Sequence, residues 1–145
     1  MVVNIDFEEI KPMIKELAER HKLLAVALFG SQATGALHSK SDIDIAILGR
    51  DQIAFGEKIK ISSELSEVFK REDVEVVDVD PNSASPTLMY AVVRDGKLLY
   101  ERETGVFLRW KLYAIKMWME TAWLRALRDK KLIEWAEKNS PLVKV

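Results

Sequence analysis

The chain has 145 residues, 48% of them hydrophobic and 31% charged, enough to bury one core and few for two. Its 22 basic residues against 23 acids leave a net charge of −1, which gives no support to a protein that grips nucleic acid by bulk electrostatics; any such contact has to be local, and nucleic acid is not expected as a direct partner. With no cysteine there is neither a disulfide framework nor a thiolate metal site, and charges run through the first twenty residues where a signal segment would be apolar.

Ile10, Met13, Ile14, Leu17 and Ala18 fall at helical spacing, and Pro12 marks either the start of this first helix or an irregular first turn. Leu23 to Phe29 is an unbroken apolar run closed by Gly30, which fits a strand buried on both faces. Beyond a stretch rich in Gly, Ser and Thr, Ile43, Ile45 and Ile47 alternate with Asp42, Asp44 and Ala46, the period of a strand with one apolar face.

Residues 53–69 return to helical spacing through Ile53, Ile61, Leu65, Val68 and Phe69, and Val74 to Val79 is again β-favouring. Pro81 and Pro86 punctuate a loop, Leu88 to Val93 predicts a short helix stopped near Gly96, and Leu98 to Tyr100 an edge strand. From about Gly105 to Asn139 nothing interrupts a long helix. The order implies an α/β fold, a small mixed sheet flanked by helices with a long C-terminal helix.

That last segment is apolar on two sides. Leu108, Leu112, Ile115, Met119, Ala122 and Ala126 form one stripe, and Trp110, Ala114, Met117, Thr121 and Leu124 lie roughly opposite. One sheet can cover only one of them, so the other, with Trp118 and Trp123 at its margins, is expected to meet a second copy or another protein. Two helices folded on each other are the alternative. Arg125, Arg128, Lys130 and Lys131 make a local basic patch. The most apolar stretch, Phe107 to Leu127, is broken by Arg109, Lys111, Lys116, Glu120 and Arg125, so no membrane span is expected and a cytoplasmic location is.

The chemistry concentrates in Gly30-Ser31-Gln32-Ala33-Thr34-Gly35 followed by Ser41-Asp42-Ile43-Asp44-Ile45. A glycine at the end of a strand lets backbone N–H groups approach phosphate oxygens, and Ser31 adds a hydroxyl. Residues i and i+2 of a strand share a face, so Asp42 and Asp44 stand side by side. Two such charges about 4 Å apart repel by roughly 4 kcal/mol at an effective dielectric of about 20, a cost that a cation or a shared proton relieves. Mg²⁺, a hard cation that bridges a few carboxylates to substrate phosphates, is suited to the place.

Gly30-Ser31, ten further residues and then Asp42-x-Asp44 among isoleucines resemble the motif of the DNA polymerase β-like nucleotidyltransferase superfamily. The chain is similar more narrowly to the minimal nucleotidyltransferases of prokaryotes, a branch that includes antitoxins encoded beside HEPN-domain toxins. The likeness is sharpest over residues 28–48 and extends to Asp95-Gly96-Lys97-Leu98-Leu99-Tyr100-Glu101, similar to the usual end of such domains. Residues 1–102 are accordingly expected to form the nucleotidyltransferase domain, with 103–145 a helical extension of the same domain and a partner or oligomer surface.

The resemblance implies a third acid on the next strand. Glu75 and Asp78 are three apart and must face opposite sides of a regular strand, so only one joins the pair; Glu75, early in the strand, matches the family's position. The resemblance further implies two Mg²⁺ ions held by Asp42, Asp44 and Glu75, ATP as substrate bound at Gly30 and Ser31, and AMP transfer to a hydroxyl, a tyrosine of a HEPN toxin in the antitoxin branch. Many relatives carry arginines in the turn where this chain has Gln32 and Thr34; His38 and Lys40 lie near, and His21 reads as a helix cap. Two other readings stay open: a non-catalytic antitoxin that neutralises its partner by contact, and transfer to a small molecule of the aminoglycoside type.

Overall fold

The computed structural model describes residues 6–30 and 42–139. Nine elements follow in the order α1 (Phe7–Arg20), β1 (Ala25–Phe29), β2 (Ile43–Leu48), α2 (Phe55–Phe69), β3 (Val74–Asp78), α3 (Pro86–Asp95), β4 (Lys97–Glu101), α4 (Val106–Glu120) and α5 (Ala122–Asn139). The sheet runs β3-β2-β1-β4; β1 is antiparallel to both neighbours and β2 parallel to β3, the mixed sheet expected.

Helix α1 begins before Pro12, not at it. Asp6 caps the helix, its Oδ1 accepting from the N–H groups of Glu8 (3.1 Å) and Glu9 (3.4 Å), and Glu8 and Glu9 suit the positive end of the dipole. Pro12 sits on the exposed face, where the carbonyl deprived of an N–H can turn to water. Ile10, Ile14, Leu17 and Ala18 face inward.

Strand β1 is buried at all five positions because it is central and covered on both sides. Val26 and Leu28 meet the α1/α2 layer together with Ile43, Ile45 and Ile47 of β2. Ala25, Ala27 and Phe29 meet the α3/α4 layer together with Ala46 and Leu48. Strand β2 therefore has two covered faces from Ala46 onward, not the single apolar face its alternation predicts. Polarity on the second face is confined to its N-terminal end, at Asp44 and at Asp42 just before the strand.

The C-terminal segment is two helices. At Thr121 (φ −98°, ψ 6°) the backbone leaves helical geometry. The Thr121 hydroxyl donates to the Met117 carbonyl (2.6 Å), and Arg125 donates through Nη2 to the Trp118 carbonyl (2.7 Å) and through Nη1 to the Thr121 hydroxyl (2.7 Å). The Trp118 carbonyl thus takes a side-chain donor in place of a helical N–H, while the Met117 carbonyl accepts both the Thr121 hydroxyl and the Thr121 N–H (3.1 Å). The Arg125 guanidinium also stacks over the Trp118 ring at 3.3 Å, and Trp118 stacks on Tyr90 of α3 at 4.3 Å.

Phe107, Trp110 and Ala114 of α4 are buried against the sheet, with the Trp110 indole N–H donating to the Val79 carbonyl (3.0 Å). The opposite stripe is open: Leu108, Leu112 and Met119 are exposed, Met119 by 69%. The two helices do not bury each other, since α5 contains no buried residue. No helix among the described residues is long and apolar enough to cross a membrane.

His21, read from sequence as a cap, is one, and it also clamps two helices. Its backbone N–H closes α1 on Leu17, while its ring meets Glu57 through Nδ1 and Glu64 through Nε2, both on α2. Burial alone would lower the His21 pKa; the hydrogen bonds and charges of Glu57 and Glu64 outweigh it and raise the pKa above the ordinary 6.5. A histidine raised in the folded state contributes stability that is full below pH 6.5 and lost as pH rises through the folded value. Wild-type protein is expected to lose stability relative to His21→Gln over that rise, measured by thermal melts in matched buffers; parallel pH curves would exclude the clamp.

Candidate active site

The acids stand where β1, β2 and β3 meet at one end of the sheet. In the antiparallel register Asp44 lies opposite Phe29, and in the parallel register opposite Glu75. Asp44 and Glu75 alternate with the core-facing Ile43, Ile45, Val74 and Val76, so both point to the α3/α4 side, at the end that helix packing leaves open. Asp42 precedes β2 by one residue and is exposed, as is Glu75, whereas Asp44 is half-buried.

Gly30 ends β1 with φ +76°, a left-handed conformation that side chains rarely adopt. A Cβ at this position would overlap the Asp44 carboxylate oxygen. The turn glycine and the second aspartate of the motif are thus in direct packing contact, and the first makes room for the second. Burial raises the Asp44 pKa, and the charges of Glu75 and Asp42 and a hydrogen bond with Glu75 raise it further. Such crowding of carboxylates is a standing deficit of positive charge.

Asp78 belongs elsewhere. It projects from the other face of β3, where its Oδ2 accepts from the Ile53 N–H (2.8 Å) and its Oδ1 from the Asp80 N–H (3.0 Å). These bonds tie the loop before α2 to the end of β3. Asp80, 4% exposed, lies past the strand. Of the candidate third acids, Glu75 is the one brought beside Asp44. Ser31 lies outside the described residues, as do Gln32, Thr34, Gly35, His38 and Lys40.

The donor set suits a hard divalent cation: carboxylate oxygens, crowded and short of positive charge. Among the described residues, however, no three acidic, histidine or cysteine side chains form a group able to hold an ion. The arrangement fits a cation that takes its remaining ligands from phosphate and water, as Mg²⁺ commonly does, and not an all-protein cage.

Arg71 was not singled out from the sequence. It precedes β3, donates through Nε to Asp73 (2.8 Å), and feels the negative charge of Asp42. The hydrogen bond with Asp73 raises the arginine's pKa and lowers that of Asp73. An arginine two residues before an aspartate at a strand entrance was the available signal, but such pairs are common at exposed strand ends.

The chain is similar to several known proteins. Over 79 residues the chain is 38% identical to the protein adenylyltransferase MntA of Shewanella oneidensis, covering 54% of this chain and 55% of that protein. Over 93 residues it is 36% identical to the protein adenylyltransferase MntA of Aphanizomenon flos-aquae, covering 59% and 61%. The match thus spans less than two thirds of the length of either relative. A chain of the crystal structure of a toxin–antitoxin with AMP-PNP superimposes with a TM-score of 0.69 at 30% identity, over 84% of this chain and 98% of that one. A chain of the complex of tri-AMPylated Shewanella oneidensis HEPN toxin with MNT antitoxin gives 0.68 at 27% identity, over 88% and 99%. The family model described as polymerase beta, nucleotidyltransferase matches residues 11–105, from α1 past β4 and through every strand that bears an acid of the site. The chain belongs to the polymerase beta nucleotidyltransferase family.

Proposed function

We propose that this chain is a metal-dependent nucleotidyltransferase that moves AMP from ATP to a hydroxyl acceptor, a tyrosine of a HEPN toxin partner, and so acts as the antitoxin of a toxin–antitoxin pair. The observation that carries the reading is the half-buried Asp44 held between Gly30, Glu75 and Asp42 at the open end of the sheet. The names of the relatives support the reaction, and the toxin–antitoxin complexes among the solved structures support the partner.

In this reading Gly30 and Ser31 receive the triphosphate, and Asp42 and Asp44 hold Mg²⁺, with Glu75 completing the set. Bound Mg²⁺ supplies charge neutralisation at the phosphates and acidifies an acceptor hydroxyl. The acceptor oxygen forms a bond to the α-phosphorus as the bond from that phosphorus to the bridging oxygen breaks, and pyrophosphate leaves. In this reading Glu75, by analogy with the family's third acid, takes the hydroxyl proton; its exposure, against the half-buried Asp44, supports that role. Residues 103–145 form part of the same domain and offer the exposed face of α4 and α5 to the toxin or to a second copy.

The test is transfer from α-labelled ATP with Mg²⁺, with and without the neighbouring gene product. Glu75→Gln is expected to lower the rate by about a hundredfold or more. Asp78→Asn should keep transfer within about threefold while losing about 1 kcal/mol of stability, because it weakens two backbone hydrogen bonds. Transfer that depends on Asp78 and not on Glu75 would overturn the assignment. A stable complex with no label transferred would instead support neutralisation by contact.

A further inference from the structure

At the other end of the sheet, where β1 begins and β2 and β4 finish, two clefts of about 560 and 400 Å³ adjoin and share Arg50 and Arg102. Asp44 and Leu48 are four residues apart on β2, so these clefts begin about 13 Å from the acids at 3.3 Å per residue. Arg50, Arg102 and Arg109 rim the smaller cleft and are exposed; Lys22 joins the larger one. Among the described residues none of these four cations lies within ion-pair distance of a carboxylate, although Glu19 and Glu103 also line the clefts. Cations without an ion-pair partner among the described residues, converging from the loops after α1, β2 and β4 and from the first turn of α4, present a surface for an anion.

The floor of the smaller cleft is apolar, made by Leu24, Leu48, Val106 and Trp110. We propose that this double cleft is a docking site for an acidic segment of a partner protein, its carboxylates on Arg50, Arg102 and Arg109 and an apolar side chain seated between them. Two adjoining clefts make a track longer than one compact ligand, which favours a chain molecule. An apolar floor has no use for a phosphodiester backbone; the Trp110 ring is buried with its N–H committed to Val79, and the half-buried Tyr100 of the larger cleft is a single ring, short of the row of aromatic faces on which successive bases stack. The planar guanidinium pairs with carboxylates through two parallel hydrogen bonds, and an apolar anchor among such pairs is the usual make-up of a peptide-binding groove. The site is independent of the catalytic reading, since it shares no residue with the acidic end.

The probe is a fluorescein-labelled peptide alternating two glutamates with one leucine, followed by anisotropy against the full chain. Wild type is expected to bind it, and Arg50→Glu/Arg102→Glu to bind at least about tenfold more weakly with its melting curve retained. Replacing the leucines by serine should also weaken binding, and Arg128→Glu/Lys131→Glu on α5 should leave it unchanged. Absence of binding to wild type, equal loss from the α5 reversal, or tighter binding of oligouridylate than of the peptide would each overturn the proposal.

Discussion

Replacing Asp44 by asparagine is expected to abolish nucleotide transfer, by about a thousandfold or more, while making the unliganded protein more resistant to heat. The two effects share one cause. Asp44 is half-buried, pressed by the charges of Glu75 and Asp42, and its pKa is raised. A carboxyl whose folded pKa exceeds its unfolded value binds the proton more tightly when folded, so stability falls as pH rises from about 3.8 through the folded value. Above that window the charged Asp44 opposes the fold. Asparagine keeps the shape and removes the charge, so its melting temperature at pH 7 should rise by a few degrees and the downward slope through the window should vanish. Added Mg²⁺ with a non-hydrolysable ATP analogue should stabilise wild type and not the variant. A variant no more stable than wild type at pH 7 would mean that Asp44 is not strained by its neighbours.

The second large effect belongs to Gly30. Alanine there meets two costs: a left-handed backbone, about 1–2 kcal/mol for a residue with a Cβ, and overlap with the Asp44 carboxylate. Gly30→Ala is expected to lower the melting temperature clearly and to slow transfer by about a hundredfold, because Asp44 must leave its place. Combining Gly30→Ala with Asp44→Ala separates the two, since only the overlap is relieved. The double variant should lose less stability than the two single changes summed; strict additivity would show that the glycine serves the turn alone.

Those two residues were legible in the sequence because each rests on a local rule. Gly30 ends an apolar run where a tight turn has to begin, and Asp42 and Asp44 share a face by strand geometry. Alternation showed only that Glu75 and Asp78 take opposite faces of β3, as they do; the preference for Glu75 came from the resemblance to the family. What stayed hidden depends on contacts between distant parts of the chain. The ring of His21 meets glutamates of α2, which no periodicity around residue 21 could announce. The break at Thr121 comes from Arg125 reaching back to the Trp118 carbonyl, in a segment whose composition is helical throughout. Arg50, Arg102 and Arg109 are ordinary surface residues in sequence and become a group only because the ends of β2 and β4 meet the start of α4. Pro12 misled for the opposite reason: Asp6 had already started the helix, and the ring faces solvent.

Helix α5 separates two quantities that usually change together in a folded protein. It is 18 residues of hydrogen-bonded backbone with no buried side chain. Unwinding it removes ellipticity yet uncovers almost no new apolar area, and denaturant sensitivity and heat capacity both follow area. In the isolated chain, the cooperative transition is therefore that of the sheet and the four helices packed on it, with α5 fraying outside it as a short helix in water would. The apolar side chains of α5 enter the thermodynamics only when something covers them, and their contribution then appears in the heat capacity of association instead of that of folding.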